Sequence, residues 1–200
     1  MYKIPFLLIY SRILIAIVIG LLAIYKIDNF AIWIVILMCL GLITDIFDGI
    51  IARKLNISTE KLRVWDSNVD QFFWLVTIVS IFYLNFDFVE KNLLWIGIVL
   101  LLEATTYIIS YIKFKKSIAT HSILAKLWTL FLLWFLIDLT INTKSKIPFI
   151  VCIALGILSR IEINLIIVML KKWTTDVPSI FAVSKINQDL PVKKHKLFNS

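Results

Sequence analysis

A chain of 200 residues that is 60% hydrophobic and 17% charged departs from ordinary soluble domains, which run at roughly 45–50% apolar and 25% charged. One soluble core of this size cannot hide so much apolar side chain, and the mean hydropathy of +0.93 equally excludes a disordered chain. A net charge of +8 would suit nucleic acid, but in a membrane protein the positive-inside rule accounts for it, so no nucleic-acid partner is expected.

The apolar runs are long and continuous rather than alternating in ~10-residue segments, which favours spanning helices over a β-barrel. Six spans are expected, in chain order over residues 5–25, 30–52, 64–86, 92–112, 122–142 and 147–170. The fold class is therefore all-α, a polytopic membrane protein with six transmembrane helices. The first span carries Arg12 near its start. Short polar segments connect the spans, and from Lys171 a polar tail with Pro178 and Pro191 is expected on the membrane surface. Cys39 and Cys152 lie inside apolar runs without zinc-ligand spacing and read as core residues. The first run is too long for a signal-peptide h-region, and no A-x-A site follows it.

Basic residues fall unevenly on the two sides of these spans. One side holds Lys3, Arg12, Arg53, Lys54, Lys61, Arg63, Lys113, Lys115 and Lys116, together with the lysines of the tail. The other holds Lys26, Lys91, Lys144 and Lys146. The asymmetry places both termini in the cytoplasm.

The cytoplasmic end of span two reads Asp45-Ile-Phe-Asp48-Gly49-Ile-Ile-Ala52-Arg53. On a helix, positions 45, 48, 49 and 52 share one stripe, carrying two carboxylates and two small residues. Span three opens with Asp66-Ser-Asn-Val-Asp70, two more carboxylates on one face. The short loop makes the two helices antiparallel neighbours, so four carboxylates converge at the membrane edge. Each Asp near a helix centre costs roughly 2.5–3.5 kcal/mol to insert, and like charges repel. Arg53 alone cannot neutralise them. All-oxygen ligation suits Mg²⁺, Mn²⁺ or Ca²⁺ rather than zinc, and two such ions are a common means of stabilising phosphoryl displacement. Gly49 and Ala52 leave room for a ligand against the backbone.

The spacing D-x-x-D-G-x-x-A-R, then eight residues, then L-x-x-x-D-x-x-x-D resembles the signature of the CDP-alcohol phosphatidyltransferases, six-span enzymes that make phospholipids from CDP-linked lipids. Asp45, Asp48, Gly49, Ala52, Arg53, Asp66 and Asp70 match, whereas Leu62 stands where the family has its second glycine. The N-terminal pattern P-N-x-L-T-x-x-R is met at Pro5, Leu8 and Arg12 but not at Phe6 or Ile9. The resemblance implies that Asp45, Asp48, Asp66 and Asp70 hold two divalent ions (Mg²⁺ or Mn²⁺), with Asp70 also the catalytic base. It implies that Gly49, Ala52, Arg53 and Thr59 contact the CDP-lipid donor. The implied partners are that donor, a small alcohol acceptor and the lipid bilayer, and a homodimer is compatible. Residues 1–170 would form the catalytic membrane domain and 171–200 a cytoplasmic tail.

For the acceptor, Ser110-Tyr111-Ile112-Lys113 is similar to the S-Y-[IV]-K segment of phosphatidylinositol-phosphate synthases. Ser122, Lys126 and Thr129 are similar to the S-x-x-x-K-x-x-T region of phosphatidylglycerophosphate synthases. With Arg160, a charge inside span six, Ser110, Lys113 and Lys126 are candidates for holding an acceptor phosphate. Structural roles compete with this: Lys113 as an interfacial anchor, Lys126 snorkelling, and Arg160 paired with Glu103 or Glu162. The expected function is transfer of a phosphatidyl-type group from a CDP-linked lipid to an alcohol, releasing CMP. A divalent-cation transporter is the first alternative, disfavoured because the acids sit at the membrane edge and no inverted repeat is visible. A non-catalytic relative disabled at Leu62 is the second, disfavoured by the four retained acids.

Overall fold

In a computed structural model the described residues are 4–54, 60–116, 122–175 and 177–190, without the side chains of 4, 5, 52–54 and 60–63. Among them there is no strand. Helix α1 spans Ile4–Tyr25, α2 Phe30–Lys54, α3 Glu60–Leu84, α4 Phe86–Lys91, α5 Leu93–Phe114, α6 Ile123–Asn142 and α7 Ile147–Met169. A 3₁₀ turn at Ile180–Ala182 leads into α8, Val183–Ile186. Six of these helices are long and apolar enough to cross a membrane, within residues 6–25, 30–51, 64–84, 93–114, 123–142 and 147–169. The chain is an integral membrane protein with the expected six spans. The short α4, with Asp87 in its first turn and Lys91 in its last, occupies the link between spans three and four.

The chain divides into two compact units, Met1–Lys91 with Leu133–Lys146, and Asn92–Leu132 with Ile147–Ser200. In the first, α1 is apolar apart from Ser11 and Arg12, and its two faces do different things. Ile9, Arg12, Ala16, Ile19 and Ala23 are all but completely buried, an alternating spacing of three and four that forms a packing seam. Leu7, Tyr10, Leu14, Ile17, Leu21 and Ile24 form the opposite, exposed stripe, which is the side for lipid. The α1 seam packs along both α2 and α3, whereas α2 and α3 meet each other only briefly. The expected direct α2–α3 pairing is thus replaced by a layer in which α1 serves both. Small residues make the close approach possible. A Cβ at Gly20 would rest 3.8 Å from Val76 and 3.9 Å from Ser80, and any side chain at Gly41 would overlap the Phe73 ring. Thr77 and Ser80 satisfy their hydroxyls on the carbonyls of Phe73 and Val76 at 2.8 and 2.7 Å, so neither is left unpaired in an apolar setting.

In the second unit, α5 packs on α7, and the segment after α7 folds back onto it. Val177 and Val183 are buried against Ile166 and Leu170, with Phe114, Ile180 and Ile186 around them. The Asn187 side chain closes the C-terminus of α7: its amide donates to the Met169 carbonyl and its oxygen accepts from Lys171 N–H, both at 2.9 Å. Residues 177–187 are therefore packed structure rather than the polar surface tail expected from composition. The lysines on either side of this stretch, Lys171, Lys172, Lys193, Lys194 and Lys196, give the tail its polar composition and mask the apolar residues within it.

Candidate active site

The acidic motif lies where the seams of α1, α2 and α3 reach one end of the first unit. On α2 the buried positions Ile34, Met38, Gly41 and Asp48 repeat at three and four residues, and Asp45 falls on the same seam. On α3, Asp66 and Asp70 precede the buried Phe73 and Thr77 on the same face. The carboxylate oxygens of Asp45, Asp48 and Asp66 come within 4.8 Å of one another. Burial is graded: the Asp48 side chain is 3% exposed, Asp70 23%, Asp66 24% and Asp45 36%. Gly49 follows on α2 and is half-buried.

The centre of the cluster is Arg12. Its Nη1 donates to Asp45 Oδ1 at 2.8 Å and pairs with Asp70, and its Nη2 pairs with Asp48 and Asp66. The guanidinium is completely buried. One cation from α1 thus meets all four carboxylates from α2 and α3. Burying an arginine unpaired in a membrane helix costs at least several kcal/mol, so this side chain is held by its partners. Counting Arg12 only as a flanking positive charge missed this role. The signal was present in the α1 seam, where position 12 continues the series of Ile9, Ala16, Ile19 and Ala23. Around the guanidinium, Ile9 and Ile13 pack on Val69, and Tyr10 meets Trp65 edge to face at 6.4 Å.

Among the described residues the donor set fits hard divalent ions: four carboxylates with no thiol or imidazole beside them, and one guanidinium that offsets a single charge of four. Ala52, Arg53 and Leu62 lie outside the residues whose side chains are described, and Thr59 outside the described residues altogether.

The residues expected at the acceptor belong to the second unit, where each has an intramolecular role. The buried Ser110 hydroxyl donates to the Lys116 carbonyl at 3.0 Å. Lys113 Nζ donates to the carbonyls of Ile167 at 3.0 Å and Val168 at 2.5 Å, closing the end of α7. Ser122 accepts from Ala125 N–H at 3.1 Å as the cap of α6, and the Thr129 hydroxyl donates to the Ala125 carbonyl. Lys126 sits half-buried in the first turn of α6. Arg160 Nε lies 2.8 Å from Glu103 Oε2, and its guanidinium stacks 4.6 Å from the centroid of Trp128. Glu162 instead accepts from the Ile180 N–H at 3.3 Å. Of the two partners considered for Arg160, Glu103 is the one it takes.

The CDP-alcohol phosphatidyltransferase family model matches residues 2–179. The chain belongs to that family. Its members are transferases of phospholipid biosynthesis that move phosphatidyl groups from CDP-alcohols within membranes. No curated protein and no solved structure matches the chain.

Proposed function

We propose that this protein transfers a phosphatidyl or similar lipid-phosphoryl group from a CDP-linked lipid to a small alcohol, releasing CMP. The observation that carries the reading is the convergence of Asp45, Asp48, Asp66 and Asp70 at one end of α2 and α3. Asp45, Asp48, Asp66 and Asp70 would hold two divalent ions, Mg²⁺ or Mn²⁺. These ions, when bound, supply positive charge to the diphosphate and to the departing phosphate. Asp70 takes the proton from the acceptor hydroxyl as its oxygen forms a bond to the lipid-side phosphorus. The phosphorus–oxygen bond to CMP breaks, and CMP leaves as the anion. Gly49 gives the donor close access to the α2 backbone, and Ala52, Arg53 and Thr59 contact the CDP part of the donor.

The acceptor candidates are Ser110, Lys113, Lys126 and Arg160, favouring an alcohol that is itself phosphorylated. Lysine asymmetry between the loops puts the reaction and both termini on the cytoplasmic side. The test is to supply the purified protein in vesicles with labelled CDP-diacylglycerol and a panel of acceptors including glycerol phosphate, inositol phosphate and their unphosphorylated alcohols. The reading expects CMP release that depends on one of these acceptors. CDP-lipid left intact with every one of them would reject it.

A further inference from the structure

The acid cluster and Arg12 stand in a relation that metal binding must disturb. The guanidinium reaches one oxygen of each carboxylate, Asp45 Oδ1, Asp48 Oδ2, Asp66 Oδ1 and Asp70 Oδ1. Among the described residues, carboxylate oxygens are also the ligand atoms that the cluster offers a cation. An ion entering among them meets a fixed positive charge at the centre of its own ligand set. Arg12 has no second anchor: its Nε is buried without a hydrogen-bond partner. Among the described residues, it is also the side chain through which α1 reaches the acids of α2 and α3 together.

We propose that Arg12 is the resident counter-ion of the acid cluster, holding α1 against the four aspartates when divalent ions are absent and yielding those carboxylates when ions bind. The inference rests on the metal reading above. Arg12 thereby sets metal affinity: it weakens binding by competition and keeps the metal-free site from flying apart through like-charge repulsion. Stability and affinity then move in opposite directions when the charge is removed, which a purely structural tie would not produce.

The experiment uses the full-length protein in detergent, with Mn²⁺ titrated and free Mn²⁺ followed by electron paramagnetic resonance. Thermal melting is recorded in EDTA and in saturating Mn²⁺. Arg12→Gln should bind Mn²⁺ about tenfold more tightly than the wild type. It should melt well below the wild type in EDTA and recover most of that difference in Mn²⁺. Unchanged or weaker Mn²⁺ binding would overturn the proposal, as would a melting deficit of equal size in both buffers. If Arg12→Gln does not fold, Arg12→Lys serves. An ammonium cannot span four carboxylates as the guanidinium fork does, so Mn²⁺ binding tighter than wild type is expected and equal or weaker binding contradicts. Failure of the wild type to bind Mn²⁺ at all would instead reject the metal reading itself.

Discussion

The indole of Trp128 lies against Gly156, its Nε1 only 2.8 Å from where a Cβ on that residue would stand. The same nitrogen donates to the Cys152 carbonyl at 3.1 Å, so the ring cannot swing away without losing a hydrogen bond. Glycine at 156 is what lets α6 lay an aromatic plane on α7, and Arg160, one turn further along, stacks on that plane. Gly156→Val should therefore destabilise the second unit by about 1–3 kcal/mol, the usual range for overpacking. Thermal melting in detergent measures the loss, and an accompanying change in tryptophan emission locates it at the indole. A melting point equal to the wild type would show that the ring has room to move.

Arg160 and Glu103 make a second prediction. Both side chains are largely buried, at 12% and 17% exposed, and removing one charge leaves the other uncompensated. Either Arg160→Met or Glu103→Leu alone should cost about 3–5 kcal/mol, while the double variant should cost much less than their sum. A double-mutant cycle on stability checks this. Strict additivity would mean that the two charges are not coupled.

The two ends of the chain should label from the same side. In a background with Cys39 and Cys152 replaced by alanine, Lys3→Cys and Lys194→Cys should both react with an impermeant maleimide only from the cytoplasmic face. Opposite sidedness would require an odd number of crossings and contradict the six-span topology.

The spans and the acid motif were legible because each rests on a short-range regularity. Twenty-residue apolar runs announce helices that cross a membrane, and the three- and four-residue spacing of Asp45, Asp48, Asp66 and Asp70 places carboxylates on a face. Arg12 was visible as a residue but not as a member of the site, because its partners lie 33 to 58 positions away along the chain and their meeting depends on how α1 is packed. The seam of α1, with an arginine where its neighbours are Ile and Ala, was the available clue. The folding back of residues 177–187 was hidden for a different reason. Val177, Ile180 and Val183 recur every third residue, but the apolar stretch is too short to announce a helix, and what it packs on, Ile166 and Leu170, lies across the Lys171-Lys172 break after α7. Lys113 and Ser110 illustrate a third limit, since the same side chain can close a helix end and belong to a phosphate-binding pattern, and spacing alone does not separate the two.

The most direct test of the central claim is CMP release from a CDP-linked lipid, measured with and without EDTA for the wild type and for Asp45→Asn, Asp48→Asn and Asp66→Asn. If the four carboxylates form a metal-dependent phosphotransfer centre, EDTA abolishes release, Mg²⁺ or Mn²⁺ restores it, and each substitution lowers the rate by about two orders of magnitude or more. Full activity in metal-free buffer, or in any of the three variants, would contradict the account.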